Sequence, residues 1–340
     1  MRRAVQFLSI VALVWVSALT RAEATFHLNV IEEIYPGSYA HPDAQYIVLR
    51  SISLGQNVLT GQPMMTWDAS GNPLADFGSF DRNSPNNANG AHYIMATQAA
   101  VDLFQFTATT IVDGRIPFPS GRVCFAPFLT DFVDCVAYGS FTGNNAPWGT
   151  PATGLVLQRA LKRIRTVTPH NNSTDYSLGA PRPTDELNLA RPDDDGDGIP
   201  NISDCAATNA SVYLRPFEAS NLKVNRTPDG LGGFTTTIVW DDQDLPVGPA
   251  TVYDLIMQEL TSAAIPAPWT TATCLAPNLP TAGFTDPSID PLFGNVRLYL
   301  ARAQNVCADG TYGNYNPGLI VSPPPDPRDP LDAMATTPCP

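Results

Sequence analysis

The chain has 340 residues, with 32 acidic against 19 basic side chains and a formal net charge of −13. A chain this acidic repels polyanions, which argues against nucleic acid as a partner. The 33 prolines and 24 glycines, set among abundant Thr, Val and Asn, favour short strands and turns over long helices.

Residues 1–24 read as a secretory signal. Arg2 and Arg3 precede an apolar run from Ala4 to Leu19, and Ala22-Glu23-Ala24 has the small-residue spacing of a cleavage site. The run is short for a membrane span, and no second long apolar run follows. The mature chain is therefore expected to be exported, extracellular, periplasmic or held at a cell surface, without a membrane span. Losing Arg2, Arg3, Arg21 and Glu23 takes the net charge to −15.

In that compartment the six cysteines are expected to be bonded. Proximity within one domain favours Cys124 with Cys135 and Cys274 with Cys307, which leaves Cys205 for Cys339. No C-x-x-C spacing occurs, so neither a redox motif nor a zinc ribbon is indicated.

From Phe26 to Thr184 the chain alternates short apolar runs with turn residues. In the run around Tyr46–Ser51, Tyr46, Val48 and Arg50 fall on one face of a strand and Ile47, Leu49 and Ser51 on the other. Arg122–Gly139 reads as two strands joined by a turn, which Cys124–Cys135 would staple. The one helix candidate is Thr97–Phe104, one or two turns long. "NVIEEIYPGSYAHPDAQYIVLR" (29–50) and "TGLVLQRALKRIRTVTPHNNSTDYSLGAPRPT" (153–184) resemble the opening and the ending of a bacterial lamin-tail domain. The resemblance implies an immunoglobulin-like sandwich over residues 25–184 and brings no catalytic residues.

Residues 185–214 read as a linker that contains the acidic run "DDDGDGIPNISD", 193–204. Counted from Asp193, the residues Asp193, Asp195 and Asp197 take positions 1, 3 and 5, Gly198 takes 6, Ile199 7, Asn201 9 and Asp204 12. This is the ligand spacing of a calcium loop. Calcium is a hard ion that takes roughly six to eight oxygens at about 2.3–2.6 Å, so several carboxylates and a backbone carbonyl must converge on one point. An EF-hand does not fit, because position 12 is Asp, Pro200 interrupts the loop and no amphipathic helix flanks it. The proline and the Asp204-Cys205 ending instead resemble a single thrombospondin type 3 repeat. That resemblance implies Asp193, Asp195, Asp197, the Ile199 carbonyl and Asp204 as ligands to Ca2+, with Asn201 joining directly or through water.

Residues 215–321 carry a second set of strands. Their progression W-D, Y-D-L, Y-L-x-R-A-x-N-x-C and G-T-Y-G, from Trp240 to Gly313, resembles a fibronectin type III domain. Residues 322–340 form a proline-rich tail not expected to pack by itself. The expected fold is thus all-β, two immunoglobulin-like antiparallel sandwiches joined by an irregular calcium-binding linker.

No catalytic constellation is expected. His27, His41, His92 and His170 are isolated in sequence, and neither H-E-x-x-H nor G-x-S-x-G occurs. Asp241 and Asp242 read as strand-end caps, and Arg159, Lys162, Arg163 and Arg165 as a solvated strand face. The expected function is non-enzymatic: a calcium-binding structural or adhesive protein whose partner is a cell-surface or extracellular protein or polysaccharide, with the ion stiffening the linker. A carbohydrate-binding or ancillary module of a hydrolase system is the alternative, marked by exposed, coplanar Trp67, Trp148 or Trp269. A hydrolase is a third reading, for which Asp, Glu and His side chains must converge in a pocket.

Overall fold

The computed structural model describes residues 26–128, 131–165, 170–230, 233–261, 269, 271–288, 290–312, 331 and 339. The expected signal segment, and the tail apart from Leu331 and Cys339, lie outside the described residues. Strand accounts for 37% of the chain and helix for 6%, so the fold is all-β. Among the described residues no helix is long and apolar enough to cross a membrane.

The first half runs β1 (Asn29–Tyr35), β2 (Tyr46–Ser51), β3 (Pro63–Trp67), β4 (Gly78–Ser79), β5 (His92–Thr97), α1 (Gln98–Phe104), β6 (Thr110–Val112), β7 (Gly121–Phe128), β8 (Asp131–Tyr138), β9 (Ala160–Arg163) and β10 (Tyr176–Gly179). Two sheets result, in the orders β10-β9-β1-β2-β5-β6 and β4-β3-β7-β8. Neighbouring strands are antiparallel except for β5 and β6. Between the sheets lie Ile31, Ile47, Leu49, Tyr93, Phe125 and Tyr138. α1 forms where expected, with the Thr97 hydroxyl accepting the Ala100 N–H as its N-cap.

The alternation in β2 holds, but both of its faces are buried. Ile47 and Leu49 point between the sheets, while Tyr46 and Val48 join Tyr35, Phe104, Phe106 and Ile199 in a second cluster. Near-continuous burial of this kind marks a sheet covered on both sides. The cover on the second side is α1 together with the acidic loop.

The expected linker is therefore docked rather than free along this stretch. Asp185 is fully buried and accepts the N–H groups of Leu187 and Leu189, and Glu186 pairs with Arg82 at 2.7 Å. The basic cluster is also not a uniformly solvated face. The Arg163 side chain is enclosed and paired with buried Asp134, and its Nε donates to the Ile31 carbonyl at 2.9 Å. Asp134 in turn accepts the Ile31 N–H, so the pair stitches β8 and β9 to an irregularity in β1.

The second half contains β11 (Lys223–Pro228), β12 (Phe234–Val239), β13 (Val252–Thr261), β14 (Thr273–Leu279), β15 (Gly283–Asp286), β16 (Asn295–Asn305) and β17 (Ala308–Asp309). The sheets β11-β12-β15 and β14-β13-β16-β17 enclose Ile238, Trp240, Tyr253, Leu255 and Ala301. The far face of the larger sheet is covered as well. There Ile256 meets Tyr312, Leu331 and Cys339, and Asp254 pairs with Arg302 at 2.8 Å. Two tail residues, Leu331 and Cys339, thus contribute to a packed layer.

Cys124 and Cys135 face each other across β7 and β8 and are bonded as expected. The other two expected pairings are overturned: Cys205 bonds Cys307, and Cys274 bonds Cys339. Cys274 lies on β14 and Cys307 beyond β16, with β13 between those strands. Two strand spacings, about 9–10 Å, exceed the roughly 7 Å that a disulfide spans between Cα atoms. Cys307 instead meets the incoming connector, where Asn305 also donates to the Leu214 carbonyl at 2.9 Å.

Candidate metal centre

The run from Asp193 to Asp204 folds through its own carboxylates. Asp193 accepts the N–H groups of Gly196 and Gly198 at 2.7 and 2.8 Å. Asp195 accepts from Asp197, Asp197 from Ile199 and Asp204 from Ala206, each through Oδ1. Short acidic side chains favour such local turns. The turn also needs Gly198, whose φ is +91°. A Cβ there would lie 2.6 Å from the Gln158 Cα, so both conformation and space demand glycine.

The core holds the loop in place at three points. The Ile199 side chain is 1% exposed in the Tyr35–Phe104 cluster, a burial worth roughly 1.5–3 kcal/mol relative to exposure. Tyr35 Oη donates to the Gly198 carbonyl at 2.8 Å, and Ser203 Oγ donates to the Leu103 carbonyl at 2.6 Å. Tyr35 stacks on Tyr46 with ring centroids 5.1 Å apart, and Tyr46 Oη donates to Glu33 at 2.6 Å. A chain of buried contacts thus runs from the loop into β1 and β2.

Among the described residues, Asp193, Asp195 and Asp197 are the one group of three candidate ligands whose donor atoms all lie within 4.8 Å of one another. Asp193 and Asp197 are buried, at 4% and 3% exposure. The second oxygens of Asp195, Asp197 and Asp204 are buried without a hydrogen-bond partner among the described residues. No ion pair among the described residues includes any of these four aspartates. Arg159 lies against Gly196 without such a pairing.

Buried negative charge without a counter-charge raises carboxyl pKa values. Burial pushes Asp197 up to about 8, aided by the charges of Asp195, Asp204 and Asp193 and opposed by the Ile199 N–H. Burial likewise pushes Asp193 up to about 6, against the N–H groups of Gly198 and Gly196 and with the Asp195 charge. Asp204 is raised by burial, with a further contribution from Asp195.

The donor set is made of carboxylate oxygens, the ligand chemistry that hard divalent cations take.

The expected ligands are not all gathered alike. The Asn201 amide oxygen accepts the Asp194 N–H at 2.9 Å and its Nδ2 donates to Asp194 Oδ2 at 2.7 Å, so Asn201 braces the outer turn. Tyr35 and Ser203, which seat the loop, carry no mark in the sequence. The one signal was Ile199, an apolar residue inside an acidic run.

The other expected features fall elsewhere. His92 lies 3.5 Å from Glu32 and His170 3.7 Å from Asp175. Asp241 caps a turn through Ser220 and Asn221. Trp67 and Trp148 are buried, with the Arg122 guanidinium 4.1 Å over the Trp67 ring, and Trp269 packs on the cluster around Ile256. No family model matches the chain, and no curated protein matches it.

Proposed function

We propose that the protein is an exported, non-enzymatic structural protein in which residues 193–204, seated on the first sandwich, bind a calcium ion. The ligands are Asp193, Asp195, Asp197, the Ile199 carbonyl and Asp204. The observation that carries this reading is the set of three buried carboxylate oxygens, on Asp195, Asp197 and Asp204, that no donor among the described residues satisfies. A divalent cation supplies the missing counter-charge. The role is architectural: the ion fixes a loop that covers one sandwich and whose next residue, Cys205, is bonded to the other. The resemblance to a thrombospondin type 3 repeat agrees with this ligand set, and the resemblances to lamin-tail and fibronectin type III domains agree with a structural or adhesive role at a surface. Buried Trp67 and Trp148 withhold support from the carbohydrate-binding alternative.

Calorimetric titration of the disulfide-intact mature chain with calcium tests the site. Saturable binding in the wild type, lost in Asp195→Ala and Asp197→Ala, is the expected result. An absence of heat, together with equal melting temperatures in calcium and in chelator, would remove the proposal.

A further inference from the structure

Among the three disulfides, two include fully buried sulfur positions. Cys124, Cys135 and Cys339 are each 0% exposed. Cys205 by contrast is exposed and Cys307 is half-buried, so a solution reductant reaches this bond first. The bond joins positions 102 residues apart and links the acidic loop to the β16–β17 turn of the second sandwich. Cys205 directly follows Asp204, whose Oδ2 is buried without a partner among the described residues.

We propose that calcium occupancy of the loop and the Cys205–Cys307 bond are thermodynamically coupled, each stabilising the other. This rests on the calcium reading above. Asp204 is held from its N-terminal side by the turn in which its N–H donates to the Pro200 carbonyl at 3.0 Å. From its C-terminal side it is held by Cys205 and by the Ala206 N–H, which donates to the Asp204 Oδ1 at 2.7 Å, and the chain is next tied to the second half where the Ala250 N–H donates to the Ser211 carbonyl at 3.0 Å.

Cutting the bond lets the backbone after Asp204 move, and fixing it again at the ion costs conformational entropy. Calcium affinity must then fall. By linkage the converse holds with the same factor: a bound ion makes the bond harder to reduce. The reducing partner is a small dithiol, which gives two electrons and two protons to the disulfide. Cys205 and Cys307 become thiols as the dithiol closes to its own disulfide.

Two measurements on the full mature chain test the coupling. The first compares calcium titrations of the wild type and of the Cys205→Ser, Cys307→Ser double variant, with circular dichroism confirming that the variant is folded. The second equilibrates the wild type with dithiothreitol, in calcium or in chelator, and traps free thiols for mass spectrometry. We expect at least tenfold weaker calcium binding in the double variant. The reduction equilibrium of Cys205–Cys307 should shift tenfold towards the disulfide in calcium, about 30 mV for a two-electron couple. Cys124–Cys135 and Cys274–Cys339 are internal controls that should not respond. Equal calcium affinity with and without the bond, or equal reduction with and without calcium, overturns the coupling while leaving the site intact. No calcium binding in the wild type removes both.

Discussion

Two groups of buried carboxylates in the molecule differ in what balances them. In the sandwiches, Asp134 lies against Arg163 and Asp254 against Arg302, all four side chains almost fully enclosed. In the loop, Asp193 and Asp197 are nearly as deeply buried, yet no cationic side chain among the described residues pairs with them. Burying an ionised carboxylate without compensation is so costly that the group either neutralises or finds a counter-ion. Where the chain supplies the cation, the site is closed and structural. In the loop it supplies backbone N–H groups but no cationic side chain among the described residues, and the balancing charge comes from solution, as a proton or a metal ion.

The contrast predicts opposite signs for two substitutions, and the paired site should give the larger effect. Arg163→Leu leaves Asp134 buried and unpaired and also removes the donor to the Ile31 carbonyl. Breaking one side of a buried pair costs about 3–5 kcal/mol, which urea denaturation should register as a lower midpoint. In chelator, Asp197→Asn should behave in the other direction, because it removes a carboxyl that has to take up a proton on folding near neutral pH. A loss of stability for Asp197→Asn in chelator, comparable to that of Arg163→Leu, would erase the distinction between the two classes.

The same contrast has a pH dependence. In the folded, metal-free chain burial keeps Asp197 protonated up to about pH 8, whereas the unfolded chain releases that proton near the ordinary carboxylate value of about 4. The folded state therefore binds more protons between these limits, and this contribution to stability is lost as pH rises from about 4 through about 8. Asp193 acts with the same sign up to about 6. Melting temperatures of wild type and Asp197→Asn in chelator should diverge from pH 5 to pH 8, with the variant increasingly the more stable. With saturating calcium the order should reverse, since the ion holds the carboxylates ionised and the variant has lost a ligand.

The acidic loop was legible because its chemistry is local: positions 1, 3, 5, 6 and 12 lie within one dozen residues. Strand alternation around Tyr46–Ser51 and the aromatics Trp240 and Tyr253 were legible for the same reason. Arg163 was not, because its partner Asp134 comes from another strand 29 residues away, and four basic residues in a short stretch look like a solvated face. The pairings of Cys205 and Cys274 failed likewise. They are decided by which strand lies between which, a property of the sheet order that neither spacing nor domain membership encodes. Docking of the loop was hidden too, since an exposed connector and a cap over Tyr35 share one composition until Ile199 is placed in the core.

Tyr35→Phe should have the smallest effect and is the most discriminating test of what holds the loop. It deletes the hydroxyl that donates to the Gly198 carbonyl while keeping the ring stacked on Tyr46 and edge-on to Phe104. A buried acceptor left without its donor costs about 1–3 kcal/mol. If the core pre-shapes the loop before the ion arrives, that cost falls on the apo and bound forms alike. Calcium affinity then changes little, while the melting temperature drops in chelator as well as in calcium. If the loop closes only with the ion, the donor matters in the bound form alone, and affinity falls by about tenfold, the equivalent of about 1.4 kcal/mol. Ile199 in the core and Ser203 on the Leu103 carbonyl favour the first outcome, because both contacts seat the loop without any contribution from a metal.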